Sequence, residues 1–328
     1  IDISEDRERF QKLIEKVGLK QPKSDISVGT KELLSKSSKL NFPILLRPSY
    51  VLGGRMMEKM NSMDDVQSYI DQNYWALESN VILIDEFLKE AKEVDVDILR
   101  DVHGNTMIAG IMEHIEEAGI HSGDSACCIP PFSLNEKIIN SIKKFSVSLS
   151  QELKTIGLMN VQYAIKDDEI FILEANPRAS RTIPFLAKAI GIPFIKIAAE
   201  LIVGKNLSKE FIEFKPEDLP YFAIKEAVFP FNKFPNTDVI LGPEMKSTGE
   251  VMGIDHNFNM AYLKSQIGAG QKLNDIKNIF ISVKDEDKEE ISHIAKLLSK
   301  NDFNIYTTRG TNEFLSKKGI DSKLINKV

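Results

Sequence analysis

Two short segments carry the residues best suited to chemistry, Asn160-Val-Gln-Tyr-Ala-Ile165 and Ile170-Phe-Ile-Leu-Glu-Ala-Asn-Pro-Arg178. Both alternate as strands do, and the acidic residues between them suit a turn. With Asp167–Glu169 as a three-residue hairpin loop, Lys166 pairs with Ile170 and Gln162 with Glu174. Side chains alternate faces with period two, so Gln162, Glu174 and Asn176 fall on one face. Three oxygen-bearing side chains there suit Mg²⁺, which takes few protein ligands and leaves positions for phosphate oxygens and water. Arg178 and Arg181 follow at once, and guanidinium forks can hold transferring phosphoryl oxygens. The plainer reading is an amphipathic hairpin with its polar face in water. The order Glu-x-Asn-Pro-Arg-x-x-Arg, after a Gln twelve residues earlier, counts against it.

Two other segments are weaker. In Arg47-Pro-Ser-Tyr-Val-Leu-Gly-Gly-Arg55 the paired glycines let backbone N–H groups approach phosphate, and Arg47 adds charge. A Gly-Gly turn is more often only a tight hairpin. Glu113-His-Ile-Glu-Glu-Ala-Gly-Ile-His-Ser-Gly-Asp-Ser125 reads as a hydrogen-bonded polar loop, without zinc spacing or a nucleophile pattern. Cys127 and Cys128 have no flanking cation or helix start and read as buried, inert thiols.

The elements that must position these residues alternate in type. Residues 6–19 form an amphipathic helix with Phe10, Leu13, Ile14 and Val17 on one face and Gly18 at its stop. A helix near 29–38, a strand over 42–47 and another near 56–60 follow. That strand, glycine-rich turn and strand make a hairpin, unlike the strand-to-helix turn of a Walker or Rossmann loop. Next come a helix near 63–73, a strand at 81–86, strands near 93–99 and 106–113, and a helix over 134–157. Strands at 160–166 and 169–175 precede one helix over 182–203. Residues 209–268 read as loops and short strands. From 279 a β-α-β-α-β pattern begins, the opening of a parallel sheet.

Composition bounds the class. The 328 residues carry 42 Lys+Arg against 48 Asp+Glu, a net charge of −6, with 42% hydrophobic residues. That is ordinary globular composition with material for more than one core. No run of about 18 uncharged apolar residues exists, so no membrane span is expected. Scattered charge argues against nucleic acid, which needs clustered Lys/Arg. Two adjacent cysteines are no disulfide framework, and the cytoplasm is the expected compartment. Ile1 at the start and Lys327-Val328 at the end read as cuts in something longer.

The succession Glu5-Asp-Arg-Glu-Arg-Phe10, Arg47 to Gly54, Glu113 to Ser125, Asn160-Val-Gln162, Glu174 to Phe185 and Gly242-Pro-Glu-Met-Lys-Ser-Thr-Gly-Glu-Val-Met-Gly253 resembles the large chain of carbamoyl phosphate synthetases. The likeness is to its C-terminal half, where an ATP-grasp unit phosphorylates carbamate. It implies an α/β (α+β) chain: an ATP-grasp domain over 1–204, the rest of the synthetic unit over 205–269, and over 270–328 a truncated, Rossmann-like start of an allosteric methylglyoxal-synthase-like domain. By the resemblance, Gln162, Glu174 and Asn176 match Mg²⁺ or Mn²⁺ ligands between the ATP phosphates, and Arg7 and Arg47 nucleotide-contacting arginines. Glu86, Leu88 and Glu93 match adenine and ribose contacts, and Gly119, Ile120, His121 and Ser122 a loop closing over the nucleotide. Arg178 and Arg181 match groups at the transferring phosphoryl and carbamate. Ser282, Lys288, Thr308, Thr311 and Lys327 match phosphate-binding positions for nucleotide effectors. The implied partners are the rest of the large chain and a glutamine amidotransferase small subunit, in an oligomer when intact, serving pyrimidine or arginine synthesis. Another ATP-grasp ligase, or a catalytically silent nucleotide-binding fragment, stays open as an alternative.

Overall fold

The computed structural model describes residues 2–48, 56–78, 80–234, 239–272 and 276–326, with the side chains of Asp2, Glu5, Arg7 and Glu8 outside the description. The Ser49–Arg55 glycine turn, the Arg7 side chain and Lys327 therefore lie outside the described residues. Two compact units are present, Ile1–Gly270 and Gln271–Val328.

The first unit opens with α1 (Asp2–Glu5) and α2 (Arg7–Val17). Asp6 caps α2 by accepting from the Arg9 N–H, and Gly18 ends it in the left-handed region at φ 77°. A four-stranded antiparallel sheet follows, in the order β1-β4-β2-β3, from β1 (Ser24–Val28), β2 (Ile44–Pro48), β3 (Glu58–Met60) and β4 (Val81–Glu86). Helices α3 (Gly29–Ser37) and α4 (Met63–Leu77) lie in its connections. Ile44, Leu46, Ile82 and Ile84 alternate inward onto Leu33, Val66 and Leu77 of these helices and form that sheet's core.

The larger sheet has seven antiparallel strands: β5 (Lys92–Arg100), β6 (Thr106–Glu117), β7 (Cys127–Ile129), β8 (Gly157–Lys166), β9 (Glu169–Asn176), β10 (Phe222–Val228) and β11 (Gly249–Asp255). Their order is β11-β10-β7-β6-β5-β8-β9. One face is covered by α2 and α5 (Glu136–Glu152), where Phe10, Ile14, Ile138, Ile142 and Leu149 meet Val94, Val96, Ile98, Val161 and Tyr163. The other face packs against α6 (Ile183–Ile190) and α7 (Phe194–Ile202), which lay Leu186, Ile197 and Leu201 on Leu99, Met107 and Met112. A single helix over 182–203 is expected from sequence, but Gly191 at φ 81° and Pro193 break it into these two.

After α8 (Lys209–Ile212), β10 and β11 extend the same sheet, and α9 (Phe258–Gly268) packs on β11. A Cβ on Gly253 would stand 2.1 Å from the Ala261 carbonyl oxygen, so this packing admits only glycine. Sequence periodicity gives no sign of α9.

In the second unit, β12 (Asn278–Ile281), β13 (Asn304–Thr307) and β14 (Lys323–Leu324) form a parallel sheet in that order. Helices α10 (Lys288–Lys300) and α11 (Arg309–Lys317) supply the crossovers, and Ile281, Ala295, Ile305, Leu315 and Ile320 form its core. No helix among the described residues is long and apolar enough to cross a membrane.

Candidate active site

The β8–β9 hairpin closes through two residues, not three. Asp167 and Asp168 both take positive φ, 51° and 60°, as a mirror-image hairpin turn requires, and Lys166 pairs with Glu169. On that register Gln162 would face Leu173, and Glu174 would turn to the opposite side. A bulge restores the face: Tyr163 pairs with Ile172, Leu173 is left over, and Gln162 stands opposite Glu174. Asn160 then stands opposite Asn176, whose Nδ2 donates to Glu174 Oε1 at 2.7 Å.

Strand β5 extends both rows. Asp95 pairs with Gln162 and Asp97 with Asn160, so Asp95-Gln162-Glu174 and Asp97-Asn160-Asn176 run across three strands. Glu93, Asp95 and Asp97 are all buried, while the intervening Val94, Val96 and Ile98 enter the core on the opposite face. Burial pushes Glu93 up to about 7, although His114 opposes the shift. Burial likewise takes Asp97 to about 7 against hydrogen bonds from Thr182, Ser180 and Asn160. His114 lies in β6 rather than in a loop, with Nε2 3.0 Å from Asp95 Oδ2. Its burial disfavours charge, but Glu93 and Asp95 outweigh that and hold its pKa above the ordinary histidine value.

The segment after β6 is fastened from several sides. Gly119, at φ 99°, donates its N–H to Glu93 Oε2 at 3.3 Å, and a Cβ there would stand 2.4 Å from the Phe87 ring. That ring lies beneath the Lys59 ammonium, 4.2 Å from its centroid. The His121 N–H donates to the Gly242 carbonyl, and its Nδ1 accepts from the Gly123 N–H at 3.0 Å. Burial, reinforced by Arg181, lowers the His121 pKa. Buried Lys225 of β10 donates to the Ser122 carbonyl at 2.9 Å. Asp124 accepts from the Lys246 and Ser247 N–H groups, which brings the Glu113–Ser125 and Gly242–Gly253 motifs together. Ile120, half-buried, lies in the same segment.

Other expected positions fall in place unevenly. Leu88 packs with Ala91, Ala118, Ala164, Phe171 and Leu173, a small apolar patch between the two sheets' connecting segment and the hairpin. The Glu86 carboxylate is engaged by the Asn41 N–H and side-chain amide, and its N–H by the Lys23 carbonyl. Arg47 sits in β2 and clasps Asp85 of β4 through Nη2 at 2.6 Å and Nε at 2.7 Å. Arg178 and Arg181 are exposed on the segment that leaves β9, and Arg181 Nη1 touches the Met245 sulfur. Cys127 and Cys128 are buried and free, and burial takes the Cys127 thiol up to about 12.

In the second unit, Ser282 follows β12 and Thr308 precedes α11, with their hydroxyl oxygens 3.1 Å apart. Lys288 opens α10 with its Nζ against Gly310, and buried Thr311 has no hydrogen-bond partner for Oγ1 among the described residues.

Sequence reasoning omits Asp95, Asp97, His114, Lys225 and Asp124 from the site. The signal for the first two is the alternation Glu93-Val-Asp-Val-Asp97-Ile, acidic and apolar at strand period. Among the described residues no group of three His, Cys, Asp or Glu side chains could hold a metal ion. A cation at this face would use one carboxylate with amide oxygens, a donor set suited to Mg²⁺ sharing its shell with phosphate.

Comparison with known proteins gives one consistent result. Residues 6–210 match the family described as carbamoyl-phosphate synthase L chain, ATP binding domain. The chain is 49% identical to the carbamoyl phosphate synthase large chain of Archaeoglobus fulgidus, covering all of this chain and 30% of that protein. It is 45% identical to the C-terminal section of the large chain of Aquifex aeolicus, covering all of this chain and 64% of that protein. Among solved structures, N5-carboxyaminoimidazole ribonucleotide synthetase from Thermus thermophilus superposes with a TM-score of 0.61 at 13% identity, over 83% of this chain and 74% of that one. That likeness shows a shared fold, the ATP-grasp fold.

Proposed function

Because this chain belongs to the carbamoyl-phosphate synthase large-chain family, we propose that it transfers the γ-phosphoryl group of ATP to carbamate, giving carbamoyl phosphate and ADP. It spans 30% of large-chain relatives, so this is one step of a longer synthesis from bicarbonate, ammonia and two ATP. The observation that carries the reading is the double row across β5, β8 and β9, which gathers Gln162, Glu174 and Asn176 on the face opposite α2 and α5.

Those three side chains fit Mg²⁺ or Mn²⁺. Glu174 supplies the single charge, and the Asn176 amide that donates to it through Nδ2 keeps its oxygen as a ligand. A metal held by Gln162, Glu174 and Asn176 would supply positive charge against the phosphates of the nucleotide. The protein does the rest by alignment. Leu88 and the small residues around it offer an apolar bed for adenine, and Glu93 a carboxylate for ribose hydroxyls. Gly119, Ile120, His121 and Ser122 close over the phosphates, with Arg47 and Arg7 as further nucleotide contacts. Arg178 and Arg181 hold the phosphoryl oxygens and carbamate. A carbamate oxygen attacks the γ-phosphorus as the bond to the β-γ bridging oxygen breaks and ADP leaves. Carbamate is already an anionic nucleophile, so no side chain need remove a proton.

Residues 1–204 are the ATP-grasp domain on this reading, 205–269 complete the synthetic unit, and 270–328 begin a methylglyoxal-synthase-like regulatory domain. Ser282, Lys288, Thr308, Thr311 and Lys327 take the phosphate of a nucleotide effector there. The partners are the remainder of the large chain and a glutamine amidotransferase small subunit, in a cytoplasmic oligomer. Ammonium bicarbonate solutions contain carbamate, so incubation with Mg-ATP and trapping of carbamoyl phosphate by hydroxylamine tests the forward step. Hydroxyurea formed in proportion to ADP supports the transfer; ADP with no trapped product opposes it.

A further inference from the structure

Asp97 is fully buried in the middle of the seven-stranded sheet, and no part of the proposed chemistry uses it. Its Oδ2 accepts from the Thr182 hydroxyl at 2.7 Å and from the Ser180 hydroxyl at 2.9 Å. Its Oδ1 accepts from Asn160 Nδ2 at 3.2 Å. Ser180 and Thr182 are the two neighbours of Arg181. Ser180 Oγ also accepts from the Ile183 N–H at 3.2 Å, which starts α6. The two hydroxyl oxygens are themselves 2.8 Å apart. A single carboxylate thus grips the chain on both sides of Arg181 and ties it to Asn160, which pairs directly with Asn176.

We propose that Asp97 is a positioning residue for phosphoryl transfer, fixing the Arg178–Thr182 segment against the β8–β9 rows so that Arg178 and Arg181 meet the reacting phosphoryl group. The inference rests on the function proposed above and goes beyond it, because Asp97 touches neither nucleotide nor carbamate. The reason for a buried acid here is mechanical. Arg178 and Arg181 are exposed, and their segment leaves β9 through Pro177 without a strand partner among the described residues. Hydroxyls facing an apolar wall would leave that segment without an anchor. Two hydrogen bonds to a carboxylate are among the stronger anchors a neutral donor can make. The anchor also has a fixed reference, since β5 lies beside β8 along its whole length.

The test uses the 328-residue chain, the paired variant Ser180→Ala/Thr182→Val, and Asp97→Asn, which keeps the side-chain shape. Thr182→Ser is the rescue variant, because it retains the hydroxyl. Two readouts are taken. In ATP formation from ADP and carbamoyl phosphate, the paired variant is expected to lose roughly 10- to 100-fold in kcat with ADP affinity within about twofold of the parent. Thr182→Ser is expected to keep kcat near the parent value. In hydrogen exchange by mass spectrometry, peptides covering 177–183 are expected to exchange faster in the paired variant and in Asp97→Asn, with β5 and β8 protected as in the parent. Unchanged kcat, or a kcat loss matched by loss of ADP affinity, overturns the proposal. A parent chain that forms no ATP contradicts the function proposed above, and the exchange result then decides the positioning role alone: parent-like exchange across 177–183 overturns it.

Discussion

Gln162 stands directly opposite Glu174 across the β8–β9 hairpin only because Leu173 bulges out of register. The two-residue turn at Asp167–Asp168 sets one parity and the bulge reverses it. A face that gathers one carboxylate and two amides is therefore the product of two compensating local features. Pairing Leu173 with Gln162, the register the turn alone would set, would turn Glu174 and Asn176 away from Gln162 together.

Glu174→Gln is expected to weaken Mg-nucleotide binding by about tenfold or more, ~1.4 kcal/mol, while nucleotide binding without metal changes little. Glu174 is only part-buried, so its melting temperature should stay within about 2 °C of the parent. Titration calorimetry with and without Mg²⁺ checks this. Parent-like metal-dependent affinity would remove Glu174 from the metal site.

Arg181→Ala should act on turnover. Loss of a cation at the transferring group is expected to lower kcat by about 100-fold with nucleotide affinity nearly intact. Steady-state kinetics beside equilibrium nucleotide binding separate the two. A collapse of affinity with normal residual turnover would assign Arg181 to ground-state nucleotide binding instead.

Gly119→Ala combines backbone strain at φ 99° with a Cβ that meets the Phe87 ring at 2.4 Å. The strain alone is worth about 1–3 kcal/mol. Displacing Phe87 would also disturb the segment that carries Glu86 and Leu88, so weaker ADP binding should accompany lower stability. Urea unfolding and ADP titration of the same variant check both. A variant with parent stability and affinity would show that neither the angle nor the ring contact is maintained in solution.

Asp97 gives stability a pH dependence of known sign. Its folded pKa of about 7 lies above the ordinary aspartate value, so the native chain holds that proton when the unfolded chain has lost it. Its contribution is full below about pH 4 and is lost as pH rises toward 7. Asp97→Asn cannot ionise, so the stability of this variant relative to the parent should improve between pH 4.5 and pH 7. Urea midpoints across that range measure the difference. A relative stability that is flat, or falls with pH, would place the Asp97 pKa at or below its ordinary value.

Much of this site was legible before the fold. Alternation placed Glu174 and Asn176 on one face, and Gln162 joined them only through an assumed three-residue loop that the structure replaces with a two-residue turn and a bulge. The turn length was not legible, because Asp167-Asp168-Glu169 suits either a two- or a three-residue loop, and only the bulge at Leu173 reconciles the count. The split between α6 and α7 was marked by Gly191 and Pro193, but the apolar run on either side masked it. Helix α9 was hidden for a different reason: its apolar residues are not gathered on one side, and its place is set by close backbone contact at Gly253. Asp97 was visible only as one acidic residue in an alternating strand, since its role depends on Ser180 and Thr182, more than eighty residues away.

The most direct test of phosphoryl transfer is ATP formation from ADP and carbamoyl phosphate, with Mg²⁺ present and Glu174→Gln as the control. This direction needs neither ammonia nor a source of carbamate, so only the residues of this chain are on trial. ATP appearing with the parent, and falling to background with Glu174→Gln, is the predicted result. Bound ADP with no ATP formed from carbamoyl phosphate would contradict it, and would leave this chain a nucleotide-binding unit without the transfer activity.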